Sequence, residues 1–312
     1  MRRVESFRDA FARALVELGE LMEELVVVDA DVASSTKTIL FAKRFPTRFV
    51  EVGISEQDMV GVAAGLAVAG MVPLVSTFSM FLLRAWEQIR NLVARGGLNV
   101  KFVATHAGLS DYLDGPSHQC LEDIAVMRAI TGMKVVVPAD APSTKSLLRD
   151  SLSVKGPVYM RLGRDYAPRV YDEEGEVKLG KANVLRDGSD VCIAACGVMV
   201  RFSLEAAKEL GKMGISAMVM DVHTIKPLDE DAILKASYNT KGLIVVEEHS
   251  IVGGLGGAIA ELLAEKRPTR IVRVGVKDSF GTCSRDYLSL LNHHGLSVAG
   301  IVRAAKVILN EG

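Results

Sequence analysis

The sequence predicts an α/β protein built from two doubly wound, mostly parallel-sheet domains in tandem. Apolar strand-like runs alternate with helix-period segments through the first two thirds of the chain, as a parallel sheet covered on both faces requires. The alternation lapses into a polar, irregular stretch after Arg164, and it then resumes. In the first unit the strands fall at Leu25–Val28, Leu74–Phe78, Val100–Ala104, Lys134–Pro138 and Val158–Leu162. The helical patterns between them are Phe7–Met22, Glu56–Ala69, Phe81–Ala94, Leu121–Ile130 and Ser143–Ser151. In the second unit the strands are Val191–Ala195, Ala217–Val222, Gly242–Val246 and Thr269–Val276, with helices near Arg201–Met213 and Gly256–Glu265. The expected division is a first domain over 1–168, a linker over 169–186 inside the polar stretch DYAPRVYDEEGEVKLGKANVLRDGSD that follows Arg164, and a smaller α/β domain over 187–312.

Composition narrows the function. The chain has 312 residues, 49% of them apolar, enough to bury a core in each of two domains. Lys plus Arg number 37 against 38 Asp plus Glu, so no global field draws nucleic acid or an anionic membrane surface. The four cysteines, Cys120, Cys192, Cys196 and Cys283, form no CxxC pair, which excludes the usual structural zinc spacings and fits a reducing cytoplasm. MRRVESFRDAF has no apolar run after its arginines and does not read as a secretory signal. Met59–Leu83 carries no charge and is long enough to span a bilayer. Pro73 splits it, Ser76, Thr77 and Ser79 are polar, and Gly61, Gly65 and Gly70 suit close packing, so a buried helix followed by a strand is expected instead.

Three segments concentrate chemistry. The loop THAGLSDYLDGPSHQ, Thr105 to Gln119, follows a strand, where open α/β sheets place their active sites. In it, neutral His106 and His118 can exchange protons near neutrality and Asp114 can hold a hydroxyl; alone, the loop is equally a capped surface turn. In VEVGISEQDMVGVAAGLAVAG a single carboxylate, Glu56, opens an apolar helix. Out of context the plainer role is to complement the helix N-terminus; the functional one is to share a proton with a heterocyclic nitrogen and fix that ring's tautomer. Phe78 and Phe81 can clamp a flat ring or simply fill core. Gly253–Gly257 lacks the third glycine of a dinucleotide loop and reads as a tight turn. Cys192 and Cys196 read as buried small hydrophobes.

VGISEQDM, TFSMF and DGPSHQ, in that order, resemble the pyrimidine-binding domain of transketolase, and IKPLDEDAI and VVEEHSIVGGLGGAIAE resemble its C-terminal domain. The resemblance runs through essentially the whole chain. It implies that Glu56 bonds the aminopyrimidine of thiamine diphosphate, that Phe81 stacks on that ring with Phe78 beside it, and that Asp31 lies near the cofactor. It further implies that His106 and Asp114 bind sugar, that His118 moves a substrate proton, and that Arg164, with Arg8 and Ser35, contacts the sugar phosphate. The GDG motif that holds the diphosphate through Mg²⁺ or Ca²⁺ in the family's large domain is absent from this sequence, and Ser110-Asp111-Tyr112-Leu113 departs from the commonest form of the loop. The resemblance therefore implies a small subunit with no metal ligands of its own, assembled with a separate large subunit as a dimer of heterodimers, transferring a two-carbon ketol unit between sugar phosphates. A deoxyxylulose-phosphate synthase-like protein, a 2-oxoacid dehydrogenase β-like subunit and a non-catalytic assembly subunit are the alternatives; DGPSHQ with Arg164 favours sugar phosphates, and the intact Glu56, His106, Asp114 and His118 set argues against a scaffold.

Overall fold

The run LVVVD forms the strand Leu25–Asp29 with every residue buried, as a parallel strand covered on both faces should be. The fold is taken from a computed structural model describing residues 4–164 and 166–310. Arg2 and Arg3 of the N-terminal run, and Asp165 of LGRDYAP, lie outside the described residues.

Seven strands make the first sheet, in the order Thr224–Lys226, Lys134–Val136, Val158–Arg161, Lys101–Thr105, Val72–Phe78, Leu25–Asp29, Phe49–Glu51. All neighbours are parallel except the first pair, in which Thr224–Lys226 reaches over from the second unit. Period-two alternation sends successive side chains into two core layers. Val27, Leu74, Val103 and Met160 join one layer with Phe11, Leu15 and Leu147 from the helices Phe7–Leu21 and Ala141–Ser153. Val28, Val75, Phe102 and Tyr159 join the other with Met59, Val60 and Ala63 from the helix Glu56–Val68. The second sheet has five strands, ordered Ile271–Val276, Leu243–Ser250, Val191–Ala195, Ala217–Asp221, Asn183–Arg186, with only the last antiparallel. Both core layers continue into it, and the two α/β units share one continuous interior.

Several elements differ from the sequence expectation. The strand Asn183–Arg186 lies inside the stretch expected as a linker and closes the edge of the second sheet. The helix expected over Phe81–Ala94 is a succession of short turns: Ser79–Leu82, a 3₁₀ turn at Leu83–Ala85, Trp86–Gln88, and a π-helical turn at Ile89–Ala94. Trp86 Nε1 donates to Val126 O at 3.0 Å and fixes this irregular path. Gly61, Gly65 and Gly70 are not at close contacts, since a Cβ on any of them would meet nothing within 4 Å. One face of the apolar helix Glu56–Val68 is thus uncovered in the single chain. Cys192 and Cys196 are buried on one core layer, as expected. No helix among the described residues is long and apolar enough to cross a membrane.

Candidate active site

The carboxyl ends of the first-sheet strands converge on one region, where an open parallel sheet leaves backbone groups and loops free to build a site. At the end of Leu25–Asp29 the buried Asp29 gathers the following loop: its carboxylate accepts from Val32 N at 2.9 Å, Thr36 Oγ1 at 3.0 Å and Thr38 Oγ1 at 2.7 Å. Those bonds set the short helix Ala33–Thr36 and place Asp31 at a positive φ of 62° with its backbone N–H on Glu51 Oε1. Asp31 is exposed and lines a cavity of about 510 Å³ together with Val32, Ile54, Glu56, Phe81 and Arg84. Glu56 is the first residue of its helix and is buried, with Arg84 Nε 3.7 Å from Oε2.

Phe78, the last residue of its strand, stacks on Phe81 with ring centroids 4.9 Å apart and planes 9° apart. Its other neighbour is the His106 ring at 3.6 Å. Phe78 therefore sits behind Phe81, which faces the cavity, so the two rings do not clamp a ligand from opposite sides. His118 meets the edge of Phe81 at 5.3 Å. This stack joins the cavity to a second cluster. Arg8 donates Nε to Arg164 O at 2.8 Å and Nη1 to Ser35 O at 2.7 Å, and Nη1 lies 3.5 Å from His106 Nε2. Arg164 pairs through Nη1 with Asp111 Oδ1 at 2.8 Å, and its guanidinium stands 5.9 Å from the Tyr112 ring centre. Asp114 lies exposed on the same loop.

Burial, reinforced by the charges of Arg8, Arg164 and His118, pushes the His106 pKa down to about 2. His106 is a neutral imidazole at any working pH, anchored by Thr105 Oγ1 at 2.8 Å from Nδ1. The expectation that it carries protons near neutrality is corrected; what remains is hydrogen bonding.

The sequence model of the transketolase pyrimidine-binding domain matches residues 5–169, and that of the transketolase C-terminal domain matches residues 180–301. The chain belongs to the transketolase family. A Methanocaldococcus jannaschii protein named as a transketolase C-terminal section is 45% identical, over 98% of this chain and 96% of its own length. A 6-deoxy-6-sulfo-D-fructose transketolase subunit from a Clostridium species is 41% identical, over 96% of this chain and 92% of its own. Among solved structures, a split-gene transketolase determined as an inactive beta4 tetramer superposes with a TM-score of 0.90 at 44% identity, covering 98% of each chain.

Within this transketolase-family chain, the fold brings all ten residues singled out from sequence to one end of the first sheet. Glu56, Phe81 and Asp31 line the cavity, while Arg8, Ser35, His106 and Arg164 form the neighbouring cluster; Asp114 and His118 share the loop above it, and Phe78 joins the two regions. A flat ring suits that cavity, with a buried carboxylate at one wall and an aromatic face at another. Among the described residues no group of three or more His, Cys, Asp or Glu is arranged to hold a metal ion.

Sequence reasoning gave no role to three supporting groups. Asp111 reaches Arg164 across 53 residues. Arg84 comes from the irregular turns after Phe81. Glu248, fully buried, accepts from Leu109 N at 2.7 Å and ties the site loop to the second unit. Two adjacent carboxylates in the apolar run VVEEHS were a usable signal, because buried carboxylates need donors. The other, Glu247, accepts from Leu255 N and Gly256 N at 2.7 and 2.8 Å, so its carboxylate occupies the helix N-terminus after the glycine-rich turn. A larger cavity of about 630 Å³, between the helices Phe7–Leu21 and Ala141–Ser153, contains none of the candidate site residues.

Proposed function

We propose that this chain is the small subunit of a split, thiamine diphosphate-dependent transketolase that moves a two-carbon ketol unit between a ketose phosphate and an aldose phosphate. The observation carrying this reading is the shared cavity of Glu56 and Phe81, one stacked ring away from the Arg8–His106–Arg164 cluster. Glu56 would hold the aminopyrimidine nitrogen and Phe81 the ring face, with Asp31 at the cavity rim. When bound, thiamine diphosphate supplies the nucleophilic carbon and the electron sink.

The residues of the chain bind, orient and exchange protons. Arg164 and Arg8 receive the anionic end of the sugar, and a planar guanidinium suits tetrahedral oxyanions. Neutral His106 and the carboxylate of Asp114 position sugar hydroxyls. His118, half-buried at the edge of Phe81, is the group placed to transfer a substrate proton. The diphosphate and its Mg²⁺ or Ca²⁺ belong to a separate large subunit, in an assembly of two small and two large chains in the cytoplasm. The split-gene structural relative supports the subunit division. The sulfosugar relative supports ketol chemistry on a sugar.

The test is ketol transfer from xylulose 5-phosphate to ribose 5-phosphate, with thiamine diphosphate and Mg²⁺, by the chain alone and mixed with its large subunit. Activity in the mixture alone is expected. Silence there, with turnover of pyruvate and glyceraldehyde 3-phosphate instead, would assign the assembly to deoxyxylulose-phosphate synthesis.

A further inference from the structure

We propose that Asp111 is a specificity-determining residue: through its ion pair with Arg164 it sets the charge at the anion-receiving end of the site, and so discriminates among acceptor sugars by their terminal group. The inference rests on the reading of Arg164 given above and concerns a residue that reading does not use.

The Asp111 side chain is 1% exposed, whereas Arg164 is 26% exposed, so the carboxylate forms the floor beneath the guanidinium and only Arg164 meets an incoming ligand. Oδ1 accepts from Arg164 Nη1 at 2.8 Å, while Oδ2 has no donor facing it. The backbone fixes the carboxylate in place, since Asp111 O accepts from Gly115 N at 3.2 Å and from Gln119 Nε2 at 3.3 Å. On the far side, Ser110 Oγ accepts from Arg164 N at 2.9 Å, so the loop and the arginine are latched at two points. Burial, and then the hydrogen bond with the neighbouring Asp114 carboxyl, push Asp111 up to about 6 against the pull of Arg164, so it is the ion pair with Arg164 that favours the charged form.

His106 contributes no charge to this end of the site because it stays neutral, and the charge of Arg164 is offset by the carboxylate of Asp111 that pairs with it. A ligand that approaches Arg164 therefore shares it with a fixed carboxylate, and a dianion is opposed more strongly than a monoanion or a neutral hydroxyl. The site is consequently tuned away from maximal affinity for a phosphate dianion.

Asp111→Asn is the decisive change, because it removes the charge while keeping an oxygen to accept from Arg164 and the same backbone bonds. The assembled enzyme with its large subunit is titrated by calorimetry with inorganic phosphate and with methanesulfonate. D111N is expected to bind phosphate about tenfold more tightly and methanesulfonate about threefold, the larger gain following the larger ligand charge. In an Arg164→Ala background the buried Asp111 carboxyl loses the cation that favours its charged form and takes up a proton, so the same substitution removes no charge and should gain less than about twofold. Steady-state kinetics should show a lower KM for an aldose phosphate with kcat unchanged, and no change for the unphosphorylated aldose. Unchanged phosphate affinity in folded D111N, or an equal gain without Arg164, would overturn the proposal. Should D111N not assemble, Asp111→Ser removes the same charge and decides on the same readouts. Because anion binding is read directly, an assembly without ketol transfer would count against the proposed reaction and leave the result for Asp111 to stand by itself.

Discussion

Glu56 is held at the first position of an apolar helix, buried, with the exposed Arg84 guanidinium 3.7 Å away. A contact so open to solvent stabilises the fold by little. The favourable field of the helix N-terminus contributes about 0.5 kcal/mol. Glu56→Gln should therefore leave folding and assembly almost unchanged. If the proton shared by Glu56 drives the chemistry, the substitution should lower kcat by about a hundredfold or more, the usual scale of a lost acid–base group. Near-normal turnover in a folded, assembled mutant would remove Glu56 from the catalytic role. Much of the candidate site was legible because its markers are local: a lone carboxylate opening an apolar helix, two phenylalanines at a strand end, and a loop dense in His and Asp. What escaped was pairing across the chain. The composition of the loop does not reveal that Asp111 is the partner of Arg164, nor that the positive φ of 57° at His106 turns its ring under Phe78.

At the scale of elements, Asp140 does more than cap one helix. Its Oδ1 accepts from Ser143 N at 3.0 Å, which closes a capping box at the start of Ala141–Ser153. Its Oδ2 accepts from Val170 N at 2.6 Å and Tyr171 N at 2.8 Å, which pins the segment leaving the first unit. Asp140→Ala removes a buried acceptor of several hydrogen bonds and should destabilise the chain by about 3 kcal/mol, more than the roughly 1 kcal/mol of an exposed cap. Urea denaturation measures this, and a loss below about 1 kcal/mol would show that the two extra bonds contribute nothing. The central strands of both sheets were readable because each holds a buried, mostly apolar run bounded by turn residues. Phe49–Glu51 and Thr224–Lys226, at the edges of the first sheet, and Val4–Ser6 and Tyr166–Pro168, which pair only with each other, were not, since three residues are too few to show a period. The succession of turns after Ser79 was misread for a related reason. Its apolar spacing suits a helix, but the π-helical turn, where Arg95 N bonds Arg90 O, leaves no distinct mark in hydrophobic periodicity.

At the scale of the molecule, charged groups placed deep in the protein join the two units. Arg161 Nε pairs with Asp123 at 2.8 Å and Nη2 donates to Glu248 O at 2.8 Å, all within the buried interior. The C-terminal unit thus backs the site loop from behind, which leaves the outward face of the helix Glu56–Val68 as the unfinished part of the structure. That helix is apolar nearly all round, a composition suited to burial, yet Val68 is 74% exposed, as is neighbouring Ile54 at 81%. Gly61 and Gly65 line the same face with open space above them. A helix this apolar suits burial against a partner, and small residues let another backbone approach closely. Gly65→Arg separates folding from assembly. In the single chain the new side chain meets nothing and replaces a poor helix former, so stability should rise by about 0.5–1 kcal/mol. In the assembly the same side chain would stand in the contact, so light scattering should show loss of association with the large subunit or with a second copy, and activity of the mixture should fall with it. If the variant associates normally, that face is not the contact and Ile54 and Val68 are simply exposed. If it loses association yet melts higher than the wild-type chain alone, the glycines are there for the partner, because the fold of the single chain is better without one of them.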